Sequence, residues 1–316
     1  MTELAGETNV APTRPALRRI LDSDMFYSFT GSPVTIASAA ITLLLVAAAL
    51  LAPLIAPHNP FDPASLSITD SLLPPAWSKD GVSDYLLGTD DQGRDVLSTI
   101  LYGMRISLSV GFASVLLAIA IGVPLGLIAG YFGGFADALI MRVADVQLTF
   151  PAILTALLID GIARGITGPQ AYNDVVFPVL VISIGLSFWV QYARTVRGSV
   201  LVEANKEYVL AARLIGLRSI AILFRHILPN VLGPVLVIAT INLALAIITE
   251  ATLSFLGVGV PPTQPSLGTL IRIGNDYLFS GEWWITIFPG ITLAVLVLAV
   301  NLLGDWLRDA LNPKLR

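Results

Sequence analysis

Two histidines, His58 and His226, stand far apart in a chain of 316 residues that contains no cysteine. Thiol nucleophiles, disulfides and thiolate metal sites are therefore absent together, and too few imidazoles remain for a zinc centre. No GxxxxGK[ST] phosphate loop, GxSxG elbow or HExxH helix occurs, so the residues offer neither a nucleotide cradle nor a hydrolase constellation. Asp90, Asp91 and Asp95 come nearest to a cation site, but they lack the alternating ligands and central glycine of an EF-hand loop. No catalytic residue, metal ligand or resident cofactor is expected of this chain.

What remains is the chemistry of a few polar groups in apolar surroundings. Hydrophobic residues make up 55% of the chain and charged ones 13%, and the mean hydropathy is +0.80, a balance that belongs in a bilayer. The net charge of -4, with no basic block interleaved with aromatics, argues against nucleic acid as a partner. An ionisable residue at membrane depth should face protein or a water-filled path. Glu250 either lines such a path or, more simply, anchors the loop from Gly257 to Gly268 through its backbone N–H groups. Arg142 and Asp145, three apart on one helical face, suit a structural ion pair that orients their helix, while Asp160 reads as an interfacial residue. Ser183, Ser187, Thr240, Asn242 and Thr249 are the uncharged polar side chains that could line a path, although serine and threonine also bond their own helix.

These residues sit on six apolar stretches: Val34 to Ala56, Ile106 to Gly130, Ala138 to Ile159, Val175 to Val190, Val231 to Phe255, and Trp283 to Leu303. About 20 residues suffice to cross the hydrocarbon, so the fold class is an all-α integral membrane protein with six transmembrane helices. The first stretch is too long, and begins too far from the amino terminus, for an ordinary cleaved signal peptide. Six crossings put both termini on one side. If that side is the cytoplasm, only Lys79, Arg94, Arg105, Arg164 and Arg272 of the 18 basic residues lie outside, as the positive-inside rule requires. The chain then divides into a cytoplasmic tail (1–33), a first span (34–56), an outer loop with an interfacial helix (57–105), a five-helix core (106–304) and a second cytoplasmic tail (305–316). The interfacial helix is expected from the stripe Val96, Leu97, Ile100, Leu101 and Met104, capped by Thr89 or Asp90. Gly122, Gly126 and Gly130 allow close backbone approach, to the same chain or to a partner.

The inner segment at 194–230 is long for a connection. Its words, EANKEYVLAARLIGLRSIAILFRHILPN, read as helix, glycine break, helix, and a proline that starts the next span. Tyr208, Ala211, Ala212 and Ile215 recur at helical spacing before Gly216, and Ile220, Phe224 and Ile227 after it. Gly216 suits a left-handed C-cap and Pro229 a first helical turn. Two short amphipathic helices at a corner would face the cytoplasm. Small Ala211 and Ala212 would leave room for another protein, with Arg213, Arg218 and Arg225 at its rim.

That segment resembles the EAA loop of ABC importer permeases, whose pattern is Glu-Ala-Ala, three residues, Gly, and further on Ile-x-Leu-Pro. Ala211, Ala212, Gly216, Leu228 and Pro229 fall on the pattern in register; Leu210 stands where the family has glutamate and His226 where it has isoleucine. Glu207, one turn earlier, is placed to supply the missing carboxylate. The words LGTDDQGRDVLSTILYGMRISLSVG and EATLSFLGVGVPPTQPSLGTLI are similar to segments of the C-type permeases of the dipeptide, oligopeptide and nickel importer group. The resemblance covers the chain from about Val34 onward.

It implies a subunit of the bacterial inner membrane that forms, with a second (B-type) permease, the path for di- or oligopeptides. A substrate-binding protein would deliver cargo outside. One or two ATPase subunits inside would hold ATP and Mg, so that this chain is a transporter subunit and not itself an enzyme. The loop residues Glu207, Leu210, Ala211, Ala212, Arg213, Gly216, Arg225, Leu228 and Pro229 would dock on an ATPase. Nickel, glutathione or oligosaccharide remain alternative cargoes. A secondary transporter or channel working alone would need broken half-helices or a buried relay of ionisable groups at the midplane, whereas the charges here sit mostly near span ends.

Overall fold

The computed structural model describes residues 24–62 and 68–311. The tail arginines Arg14, Arg18 and Arg19, with Lys314 and Arg316, lie outside the described residues. Within them the chain is helical, and its one β-feature is an isolated bridge between Thr89 and Asp95. Five helices are long and apolar enough to cross a membrane, and a bent pair makes a sixth crossing if counted as one span.

Helix α1 (Asp24–Thr30) leads into α2 (Pro33–Leu50). Ser32 caps α2 by accepting from the Thr35 N–H, and Pro33 fills the first helical position. A single turn, α3 (Ala52–Ile55), completes the first crossing. The next crossing, α4 (Val96–Phe132), begins ten residues before the expected Ile106. Asp95 caps it, its Oδ2 accepting from the Ser98 N–H at 2.9 Å. The stripe expected of a separate interfacial helix is instead the first turns of α4. Val96, Ile100, Leu101 and Met104 are buried there among Leu267, Leu270 and Trp284. With those partners available, the stripe packs on protein and the helix continues without a break.

Gly133, at φ 62°, ends α4 and starts α5 (Gly134–Thr149). α5 and α6 (Ala152–Gly168) meet at 92°. The corner is Pro151, extended at φ -57° and ψ 135°, which cannot donate the hydrogen bond that would continue α5. The expected straight span from Ala138 to Ile159 is thus two helices. Gly168, at φ 75° and ψ 165°, turns the chain into α7 (Ala171–Glu203), a far longer crossing than Val175 to Val190. Helix α8 (Glu207–Leu214) follows, then α9 (Ser219–Phe255), which starts twelve residues before the expected Val231. α10 (Leu267–Tyr277) stands in a stretch expected to be loop, and α11 (Trp284–Leu311) completes the set.

Glycines set the closest contact. A Cβ on Gly122 would lie 2.4 Å from the Trp189 carbonyl oxygen, one on Gly126 2.5 Å from that of Ala193, and one on Gly130 2.7 Å from Cβ of Val200. Of the two packings open in the sequence, the one within the chain is realised, α4 against α7. The main core lies between α4, α7 and α9, and a second joins α2, α4, α9, α10 and α11.

The cap, over 57–62 and 71–95, is irregular, in keeping with Pro57, Pro60, Pro74 and Pro75. Arg94, 2% exposed, donates through Nε to Asp90 Oδ2 at 2.6 Å and through Nη1 to the Pro262 carbonyl at 2.7 Å. Trp284 Nε1 donates to the Thr89 carbonyl at 3.0 Å. These bonds tie the cap to the outer loop and to α11. Asp90 therefore serves Arg94 and Asp95 serves the helix cap. Asp91, crowded by burial and then by Asp90, is held above the ordinary carboxylate range. Asp90 and Asp95 thus have separate partners in the cap.

Candidate functional site

The segment after α7 turns a corner in fifteen residues, because α7 and α9 absorb most of the 194–230 stretch. At its base, the Tyr208 hydroxyl donates to the Glu203 carboxylate, and Lys206 Nζ lies 2.8 Å from the other oxygen of Glu203. Asn230 Nδ2 donates to the His226 carbonyl at 2.7 Å and to the Tyr208 hydroxyl at 3.2 Å. Burial and the bond to Glu203 push the Tyr208 phenol up to about 12, so it is a neutral donor in ordinary buffers. Nothing in the sequence pattern singled out Glu203, Tyr208 and Asn230 as a set, since 27 residues separate the first from the last.

Gly216 adopts φ 81°. Its N–H bonds the Arg213 carbonyl at 3.0 Å and the Leu217 N–H bonds that of Ala212 at 3.1 Å, the paired bonds of a Schellman turn. The left-handed cap expected of Gly216 is therefore present. The inner face of α8 differs from the expected one. Val209 and Ala212 are buried in the main core with Ile222 and Ile227, so Ala212 faces its own chain and not a neighbour. Glu207, Leu210, Ala211, Arg213, Arg225 and Pro229 are exposed, and Leu228 is half-buried. The apolar surface presented outward is Leu210, Leu214, Ile215, Ile220 and Phe224. Arg213 is drawn over the Tyr131 ring, 4.9 Å from its centroid, which braces α8 against the end of α4.

The second expected short helix is not separate. Ser219–Ile222 passes through a π turn, Leu223–Ile227, into the rest of α9. Pro229 clashes with the carbonyl one turn back in a regular α-helix, and the wider turn ahead of it lets the helix continue. The corner is thereby continuous with a membrane-length helix.

The polar residues offered for a path are dispersed. Ser183 is buried and bonds the Val179 carbonyl; Ser187 bonds those of Ser183 and Ala152. Thr240 bonds the Val237 carbonyl and packs against Gly304, and half-buried Thr249 bonds that of Leu245. Asn242 is fully buried. Glu250 is also fully buried, accepting from Ser107 Oγ and Ser254 Oγ at 2.7 Å each. It reaches the outer loop indirectly, since Ser107 Oγ accepts from the Leu267 N–H at 3.3 Å. Glu250 is thus an internal anchor, bonded through hydroxyls and not through loop N–H groups.

The Arg142–Asp145 pair is not formed. Asp145 pairs with Arg194 and Asp137 with Arg197, both across to α7, while Arg142 is exposed and has no ion pair among the described residues. Because α5 crosses α7, its acids meet the arginines of the other helix instead of a neighbour on their own. Asp160, read as interfacial, is 3% exposed and accepts from Tyr172 Oη and from Arg164 Nε, the latter at 2.7 Å. Arg164 stacks 4.1 Å from the Tyr172 ring centroid. The trio clasps the turn at Gly168.

Residues 122–316 match the family described as binding-protein-dependent transport system inner membrane component. Residues 23–75 match the N-terminal transmembrane domain of oligopeptide transport permease C. The dipeptide transport system permease protein DppC of Haemophilus influenzae is 42% identical, over 87% of this chain and 88% of its own. The di/tripeptide permease DppC of Pseudomonas aeruginosa is 39% identical over 93% and 92%. The glutathione permease GsiD of Pectobacterium atrosepticum is 39% identical over 91% and 89%. Among solved structures, an inward-facing form of the MetNI methionine ABC transporter superposes with a TM-score of 0.52 at 20% identity, over 68% of this chain and 96% of the other. That likeness speaks to the fold. From the matched length and these identities, the chain belongs to the family of binding-protein-dependent transport system inner membrane components.

Proposed function

We propose that this chain, with a second B-type permease, forms the path of an ATP-driven importer of di- or oligopeptides in a bacterial inner membrane. A binding protein delivers the peptide outside, and one or two ATPase subunits, holding ATP and Mg, dock on the corner around α8. Both termini are cytoplasmic. One observation carries the reading: Leu210, Leu214, Ile215, Ile220 and Phe224 form an apolar surface on that corner which nothing among the described residues covers. Surface of this kind marks a partner site. The names of the relatives, which are peptide and glutathione permeases, support short peptides as cargo, and the spread of basic residues supports the orientation.

Crosslinking tests the docking. Leu214 is 89% exposed and Ala212 4%, so a cysteine at Leu214 should crosslink to a cysteine in the groove of a co-expressed ATPase, while one at Ala212 should not. Absence of crosslinking from both Leu214 and Ile215 in an assembled complex would overturn the proposed docking face.

A further inference from the structure

Arg105 projects from the exposed side of α4 and has no hydrogen bond or ion pair among the described residues. Two other arginines are engaged: Arg94 with Asp90 and Arg164 with Asp160. Glu250 is turned away from it, held by Ser107 two residues on, about 200° round the helix. Between Arg105 and the inner end of α4 at Phe132 lies roughly 40 Å of helix, more than the ~30 Å of hydrocarbon. With the proposed orientation, the guanidinium stands at the outer mouth of the molecule, in reach of water.

Two cavities meet at this side chain. One, of about 390 Å³, is apolar and bounded by α2, α4 and α9, with Leu108 and Phe112 in its wall. The other, of about 290 Å³, is lined by Phe61, Tyr102, Phe177 and Gln264. Its rim comes from the outer cap and the outer loop, and Phe61 packs edge-on against Tyr102 with ring centroids 5.0 Å apart. An uncompensated arginine fork matches a carboxylate with two parallel hydrogen bonds. An aromatic, amide-edged pocket on one side and an apolar one on the other suit the side chains and backbone of one or two residues attached to that carboxylate.

We infer that Arg105 is a subsite for the C-terminal carboxylate of a short peptide entering the path. The inference rests on the proposed import of peptides. A phospholipid phosphate shares the anionic chemistry, but Phe61 and Gln264 belong to segments outside the membrane-crossing helices, which favours an anion arriving from water.

The test uses the complete importer in vesicles, with its binding protein saturated in turn by a dipeptide and by the same dipeptide carrying a C-terminal amide. R105Q should lower uptake of the free-acid peptide roughly ten-fold, the loss of one charge-assisted contact, and leave uptake of the amide and the ATPase rate unchanged. R105K should fall between. No loss, or an equal loss for both peptides, would overturn the subsite. A loss seen in vesicles with phosphatidylglycerol but not in purely zwitterionic ones would assign Arg105 to lipid instead. If the unaltered importer moves no peptide at all, it is the functional reading that fails.

Discussion

Gly216 and Glu250 show how single residues serve the corner and the outer half. A Cβ at Gly216 would meet nothing within 4 Å, so space is not its constraint. The constraint is φ 81°, which costs a branched residue about 1–2 kcal/mol and would straighten or reorient α8. Gly216→Val should leave the complex assembled and hydrolysing ATP while uptake falls several-fold. Coupled uptake at the unaltered rate would show that the cap does not transmit motion. Glu250 has the opposite character, being enclosed and bonded to two hydroxyls. Glu250→Ala strands both serines in an apolar interior, a loss of roughly 2–4 kcal/mol, whereas Glu250→Gln keeps a polar partner for them. Thermal unfolding in detergent should rank the unaltered chain above Gln and Gln above Ala; an Ala variant as stable as the unaltered chain would remove Glu250 as an anchor.

At the level of elements, the contact between α4 and α7 is set by Gly122, Gly126 and Gly130. Their spacing of four was legible in the sequence because it places them in one row on a helix. Which helix fills that row was not, because small residues invite any neighbour of matching shape. Gly126→Leu would drive its side chain into the Ala193 carbonyl, and the variant should fail to accumulate or should melt far lower. Gly290→Ala is the control, since a Cβ there meets nothing within 4 Å, and its yield and melting temperature should be unchanged or slightly higher. The same dependence on crossing geometry explains the ion pairs. Three-residue spacing suggested Arg142 with Asp145, yet the 92° bend at Pro151 lays α5 across α7, where Arg194 and Arg197 take its acids.

For the whole molecule, the proposed orientation is checked by thiol labelling, aided by the absence of native cysteine. Phe279→Cys, at a position 97% exposed in the outer loop, should react with an impermeant maleimide in intact cells. Leu214→Cys should react only after the membrane is opened; the reverse pattern would invert the topology. The apolar runs determined by themselves that the chain is helical and crosses a bilayer about six times, because hydropathy is a property of composition along the chain. The glycine cap at Gly216 was likewise local and was read correctly. Tertiary structure alone decided where the helices end, since α10 and α11 cover the first turns of α4 and a π turn lets α9 run on through the corner past Pro229. It also turned Ala212 inward and Leu214 outward, buried Glu250 between α4 and α9, and left Arg105 uncompensated between two cavities. Those outcomes depend on which faces meet, for Glu250 and Ser107 across 143 positions, and a linear pattern holds no record of a crossing angle.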